Sequence, residues 1–227
     1  MRAFANVLLK PEKADTFTLG VVFQPEEGVL SKLRTSVDYY KIDVKDALIN
    51  PDANLYVADC YNFYGRNPNY DPNYVNCQGI FRSGNILGVD NPATLATDGF
   101  FIFQNDGKIK TDGIDVQLNW LGTDIGPGKF TATLYANYLL SWKQQATSDL
   151  PQQDFAGTIT FFGAGDGLGQ TFPDLRATLY SQYRIREFGI DVRTRYIDSM
   201  DNRAAVLYPS ENFKGVGSVV YWDIGGS

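Results

Sequence analysis

Hydrophobic and polar positions alternate singly along this chain, the two-residue period of a β-strand with one apolar face. The stretch from Leu9 to Phe23 shows it first. Leu9 to Asp15 is polar and charged, and Pro11 forbids a regular ladder there. From Thr16 onward, Phe17, Leu19, Val21 and Phe23 point one way, and Thr16, Thr18, Gly20 and Val22 the other. After the breaker-rich turn Gln24-Pro25-Glu26-Glu27-Gly28, a second strand is predicted over about 33–44. There Leu33, Val37 and Tyr39 hold one phase before Tyr40, Ile42 and Val44 take the other, and a bulge near Tyr39–Tyr40 would reconcile them. The clearest strand is 113–120, with Ile114, Val116, Leu118 and Trp120 opposite Asp115, Gln117 and Asn119. Further alternation predicts strands over 130–140, 175–183, 188–196 and from Ser218 onward. The reading is an all-β chain of about seven antiparallel, up-and-down strands.

The connections sort by length. Short turns are predicted after Phe23, over 122–128 and over 184–187; long loops span about 46–107, 144–171 and 199–217. The first long loop is dense in Asn-Pro and Asp-Pro turn chemistry, with strand-like pieces near Gly79–Arg82 and Phe100–Gln104. Loops of this length are uncommon in compact soluble domains. Strict alternation of short turns and long loops is what strands crossing a membrane as a barrel show. A Greek-key sandwich has no reason to sort its loops this way. Aromatic residues sort likewise: Phe23, Trp120, Phe130, Tyr183 and Phe188 lie beside short turns, and Phe17, Tyr138, Trp142 and Tyr196 toward long loops. Two such rows match interfacial girdles. Asp115, Asp191, Arg176, Arg193 and Arg195 fall on the polar phase, as expected for a wet lumen; the solvent face of an open soluble sheet is the competing explanation.

Composition narrows the chemistry. The 227 residues include no histidine, which excludes Ser-His-Asp and Cys-His nucleophile systems and imidazole metal ligands. A formal net charge of −6 argues against a nucleic-acid partner, since phosphate binding needs clustered Lys and Arg. No apolar run is long enough for a membrane helix. The two cysteines, Cys60 and Cys77, fall in a Tyr/Asn/Pro-rich loop; they are either a disulfide in an oxidising compartment or two free thiols, and the loop context favours the disulfide. No signal peptide follows Met1, so an exported chain is expected to begin inside a longer protein.

Several segments carry a resemblance. Leu9-Lys10-Pro11-Glu12 followed by Ala14-Asp15-Thr16-Phe17-Thr18-Leu19-Gly20 is similar to a barrel segment of TonB-dependent outer-membrane receptors. The run from Ser36 to Ala47, the run from Thr111 to Trp120 with its Gly-Ile-Asp centre, Phe172-Pro173-Asp174-Leu175-Arg176-Ala177, and Tyr221-Trp222-Asp223-Ile224-Gly225 resemble later strands of that family, in order. The resemblance implies that residues 1–227 are part of a plugged barrel of roughly 22 strands. It implies a place in the outer membrane of a Gram-negative bacterium, contact with outer-membrane lipid, and uptake of a small-molecule ligand such as a siderophore, cobalamin or carbohydrate. Energy would come through TonB, by way of a plug domain that this sequence lacks; an aromatic-terminated last strand is also lacking. Alone, such a piece is expected to have open edges and to aggregate.

Other constellations carry little. The Gly-rich run 163–169 has neither dinucleotide spacing nor the Lys-Ser/Thr of a phosphate loop. Asn69, Asp71 and Asn73 alternate as calcium ligands can, without the required Gly and terminal Glu. No catalytic, metal or cofactor residues are assigned. The candidates for ligand contact are Tyr61, Tyr64, Tyr70 and Tyr74, with Tyr56 and Phe63 near them, which could stack on a sugar or catechol ring or pack the loop against its neighbours. The functional expectation is transport rather than catalysis. The alternatives are a secreted all-β carbohydrate-active enzyme using paired carboxylates and a soluble β-sandwich binding module.

Overall fold

A computed structural model describes residues 9–49, 53–63, 65–74, 77, 104–148, 151–159, 171–203, 205 and 210–227. Seven long strands dominate: β1 (Lys13–Phe23), β2 (Leu33–Ile49), β3 (Gln104–Ile125), β4 (Gly128–Gln145), β8 (Leu175–Ile185), β9 (Phe188–Ile197) and β12 (Val219–Gly226). They form one antiparallel sheet in the order β1-β2-β3-β4-β8-β9-β12, each pairing with its predecessor in that series. The short β5 (Gln153–Asp154) adds to the end of β4. β1 and β12 are the two edges, so the sheet is up-and-down and open. The short pieces β6 (Thr158–Ile159), β7 (Thr171–Phe172), β10 (Met200–Asn202) and β11 (Gly215–Val216) form a second, four-stranded sheet out of two long connections. A helix, α1 (Ala53–Cys60), and a 3-10 turn at Val29–Lys32 complete the described elements.

Register divides the long sheet into two faces, because directly opposed residues of antiparallel strands point the same way. One row runs Val21–Val37–Val116–Ala136–Ala177–Tyr196–Val220 across all seven strands. The next runs Phe23–Thr35–Leu118–Leu134–Leu179–Thr194–Trp222. This apolar face stays open: Val21 is 68% exposed and Phe188 and Ile224 are each 76% exposed. Leu118 and Leu134 are neighbours on one sheet, not partners across two, and Val192 pairs with Ser181 and Ile224 in that same sheet.

The strands run longer than the alternation alone predicts, and bulges explain why. The expected bulge at Tyr39–Tyr40 is absent: pairing is continuous from Leu33 to Val44, so Tyr40, Ile42 and Val44 stay on the polar phase. The irregularity lies between Val44 and Ala47, where Asp46 takes φ 55°. A second, between Trp120 and Thr123, turns Thr123 onto the side of Trp120, and the indole Nε1–H donates to Thr123 Oγ1 at 2.7 Å. The bulge thus gives a polar indole group on an apolar face its partner. A third, opposite Asp112–Gly113, leaves Leu140 as the extra residue of β4. Trp142 therefore pairs with Thr111 on the polar phase, where it stacks on Phe172 with centroids 4.5 Å apart, and it does not join the aromatic row with Tyr138. The remaining aromatics share the apolar face as expected.

Turns and loops keep their asymmetry. β3 and β4 are joined by Gly126-Pro127, and β8 and β9 by Arg186-Glu187, with positive φ at Gly126 and Arg186. The opposite ends carry the connections 50–103, 146–174 and 198–218. The strand-like piece at 79–82 lies outside the described residues, as does 100–103; β3 begins at Gln104.

Candidate functional site

Two surfaces hold the polar side chains that could meet a ligand. The first is the polar face of the long sheet. Its rows read Arg34–Asn119–Thr133–Tyr180–Arg193–Asp223 and Ser36–Gln117–Tyr135–Thr178–Arg195–Tyr221. Asp38, Asp115, Asn137 and Arg176 form a third. These groups bond to one another laterally. Asn137 Nδ2 donates to Asp115 Oδ1 at 2.7 Å and to the Tyr40 hydroxyl at 3.2 Å, and Thr133 Oγ1 donates to Asn119 Oδ1 at 3.2 Å. The Arg193 guanidinium lies 5.2 Å from the Tyr180 ring centre and that of Arg195 5.3 Å from Tyr221, cation–π distances. Arg195 also meets Asp223 at 3.2 Å, a half-exposed pair of little energetic weight. A shallow hollow of about 510 Å³ is lined on this face by Thr131, Thr133, Tyr180, Gln182, Asp191 and Arg193. Guanidinium, carboxamide, phenol and carboxylate groups around one hollow can accept polar, hydroxyl-rich or anionic groups. Gly113 leaves room for the Tyr40 phenol, whose oxygen a Cβ at that position would overlap.

The second surface is the loop between β2 and β3. Cys60 at the end of α1 and Cys77 are bonded, S–S 2.06 Å. Asn67, almost fully buried, is the hub: its Nδ2 donates to Cys60 O at 2.8 Å and Asp71 O at 3.1 Å, and its Oδ1 accepts from Asp71 N at 2.8 Å. Asp59 is fully buried, accepts the Tyr74 hydroxyl at 2.8 Å and faces Arg66 Nε at 3.8 Å. Burial first, then the hydrogen bond to Asp59, pushes the Tyr74 phenol above its ordinary range. Of the tyrosines singled out by sequence, Tyr74 is thus committed to Asp59, Tyr61 is half-buried just after α1, and Tyr70 stands 62% exposed; Tyr64 and Tyr56 are respectively outside the described residues and outside the described side chains. Of Asn69, Asp71 and Asn73, Asp71 Oδ1 accepts Asn73 N at 2.8 Å. Among the described residues no group of acidic or cysteine side chains has metal-holding geometry.

The small sheet braces the later loops. Arg203 donates to Asp154 O at 2.6 Å and to Gln153 Oε1, and lies 4.4 Å from the centre of the buried Phe155 ring. At the same end, burial and the neighbouring Asp198, Asp154 and Asp201 push the Asp174 carboxyl up. Asp198, which accepts the Tyr196 hydroxyl and Ser199 N, is held below the usual carboxylate range.

A family model described as "TonB dependent receptor-like, beta-barrel" matches residues 2–227. The chain belongs to this family. Its strands are therefore wall strands of a transmembrane barrel, with the apolar face toward lipid and the charged face toward the lumen. Among solved structures, the outer membrane transporter YddB from Escherichia coli is similar at 11% identity, covering 98% of this chain and 27% of that one, with a TM-score of 0.55. The FrpB iron transporter from Neisseria meningitidis, in its F5-1 variant apoprotein form, is similar at 13% identity over 98% of this chain and 25% of that one, with a TM-score of 0.50. These likenesses support the fold. The chain spans about a quarter of the length of the transporters it matches. No curated protein matches the sequence.

The lumen arginines were marked by phase in the sequence. The Asn67 hub was not: a buried Asn closing a loop on backbone groups leaves no periodic signal, and only the neighbouring cysteines point to it.

Proposed function

We propose that this chain is part of the barrel of an outer-membrane receptor that takes up a scarce ligand (a siderophore, cobalamin or a carbohydrate) with energy delivered through TonB to a plug domain encoded with it. The observation that carries this reading is the division of one continuous wall into an open apolar face and a face of paired Arg, Asp, Asn and Tyr groups, in a chain of the receptor family. In this reading the protein is a transporter and not an enzyme, and it works in the outer membrane of a Gram-negative bacterium. The lumen groups Arg193, Arg195 and Tyr180 supply a polar path, and the Cys60–Cys77 bridge holds the loop that carries Tyr61, Tyr64, Tyr70 and Tyr74. Among the described residues of this loop, Tyr70 is the tyrosine best placed to stack on a ligand, because it is exposed.

The test is uptake by cells expressing the full-length protein, supplied in turn with labelled ferric siderophores, cobalamin and oligosaccharides, with and without functional TonB. Accumulation of one class, lost without TonB, is the expected result. TonB-independent accumulation, or none of any class under conditions that induce the gene, would overturn the reading.

A further inference from the structure

The apolar face changes character at its long-loop end. Continuing its phase outward, Lys13 pairs with Lys45, Asp15 with Asp43, Asp43 with Lys110, Lys110 with Lys143, and Phe17 with Lys41, which pairs in turn with Asp112; Lys108 pairs with Gln145. Six lysines therefore stand on the lipid side, just beyond the row Leu19–Tyr39–Ile114–Tyr138. At the short-turn end the same face ends in Leu33, Phe130, Tyr183, Ile190 and Phe188, with no Lys or Arg.

The acids within the lysine band are already engaged. Asp15 accepts from Lys45 at 2.9 Å and Asp43 meets Lys110 at 3.2 Å. Asp112 accepts the Tyr39 and Ser141 hydroxyls. Asp154, opposite Lys143, accepts the backbone N–H groups of Trp142 and Ala156. Lys13, Lys41, Lys108 and Lys143 are exposed, and none of them pairs with a carboxylate among the described residues. A hollow of about 560 Å³ opens on this face, lined by Asp15, Phe17, Tyr39, Lys41 and Asp43, so that aromatic rings, an ammonium and carboxylates share it.

We propose that this band is a docking surface for an anionic lipid, one whose headgroup phosphate has no balancing cation of its own: the four uncommitted ammonium groups bind the phosphate, and the apolar wall below them, continuous on the same strands, takes the acyl chains. Lipid is the occupant of choice because the charges border a face built for hydrocarbon, and a lysine at that boundary extends its ammonium to the headgroup while its stem stays on the wall. The inference rests on the lipid orientation of the apolar face and not on what the receptor carries.

The full-length receptor, purified in non-ionic detergent, is titrated with phosphatidic acid and bound lipid is read by native mass spectrometry. Each lysine near an anionic lipid surface is worth about fivefold in binding, so the variant K13Q/K41Q/K108Q/K143Q is expected to bind phosphatidic acid at least about tenfold more weakly. Phosphatidylcholine binding should not change, and K32Q/K129Q should bind both lipids as the parent does. If the fourfold variant lacks the heat-modifiable migration of a folded barrel, the four single variants are read, each expected to weaken phosphatidic acid binding by about two- to fivefold. Unchanged phosphatidic acid binding, an equal loss for phosphatidylcholine, or displacement of the lipid by inorganic phosphate alone would overturn the proposal. Lipid occupancy is read without any transported ligand, so this result stands apart from the uptake test.

Discussion

The barrel wall and the disulfide-tied loop solve the same problem by opposite means. The wall spends its side chains outward: few of its apolar residues are buried, and its order comes from backbone ladders running in register across seven strands. Hydrocarbon supplies the apolar surroundings, and the ladder pairs the backbone N–H and C=O groups of neighbouring strands with one another, as a structure in lipid requires. Among its described residues the loop at 53–77 has no strand. It is held by a covalent bridge, a buried Asn on backbone groups, and a buried carboxylate shared between Tyr74 and Arg66. The wall is specified by phase and the loop by individual polar contacts, so substitutions should be tolerated on different grounds in the two places.

The largest effect expected in the wall is from Leu134→Arg, which puts a charge in the middle of the apolar face: about 2–4 kcal/mol of lost stability in urea unfolding of the full-length protein in vesicles. Thr133→Arg, one residue away on the lumen side, should change little; equal losses at both positions would erase the distinction between faces. In the loop, Cys60→Ser is expected to cost about 3 kcal/mol locally, seen as protease cleavage within 53–77 while heat-modifiable migration of the barrel is kept. Asn67→Ala leaves the Cys60 and Asp71 carbonyls and the Asp71 N–H without their partner, at about 1–3 kcal/mol, with the same local readout. If either loop variant melts the wall, the two regions are not independent.

Next in size is a pH effect in the later loops. Asp198 is held below the usual range by the Tyr196 hydroxyl and Ser199 N–H, so its stabilisation is present above the unfolded carboxylate range and is lost as pH falls through its depressed value. Asp174 is shifted the other way by burial and three acidic neighbours, so the native state favours its protonated form; its contribution is full below the unfolded value and declines as pH rises through the raised one. Asp174→Asn should therefore increase hydrogen-exchange protection of Leu139 N and Asp198 N at neutral pH and leave it flatter with pH than in the parent. Protection that is unchanged, or lowered, would remove Asp174 from this account. The smallest effect belongs to the wall's tight turn. Arg186→Gly relieves a positive φ of 53° and should raise stability by about 0.5–1 kcal/mol.

Much of the wall could be read from the chain, because most of its stretches alternate cleanly where they face lipid; in β2 the apolar Tyr40, Ile42 and Val44 on the lumen phase hid the continuous register. The strand ends could not be read. From Lys45 to Ile49, from Gln104 to Asp112 and from Ser141 to Gln145 the strands continue past the hydrocarbon, where the phase that carries apolar residues lower down carries Lys and Asp instead, so the apolar alternation stops short of the strand ends. Bulges were equally hidden, since an extra residue flips parity without leaving a compositional mark; that is why Trp142 was placed with the wrong row. Helix α1 has eight residues and no apolar stripe in Ala-Asn-Leu-Tyr-Val-Ala-Asp-Cys, so nothing distinguished it from turn. The small sheet consists of two- and three-residue pieces, too short for any period to register. In the candidate site, lumen groups were visible as charges on one phase, whereas the partners of Asp59, Arg66 and Tyr74, lie in the same loop with no period to mark them.

The parallel pairing of β6 with β10, locked by Arg203 across Gln153 and Asp154, ties together segments that leave the barrel from different hairpins. Lengthening either connection would shift its half of that splice and unseat the other. Peptide tags and fluorescent labels will therefore be best accommodated between Ser210 and Asn212, exposed residues ahead of Phe213 and Lys214, whose carbonyls Asn202 holds, and worst at the bend around Gly157, where a label on one hairpin would deform both.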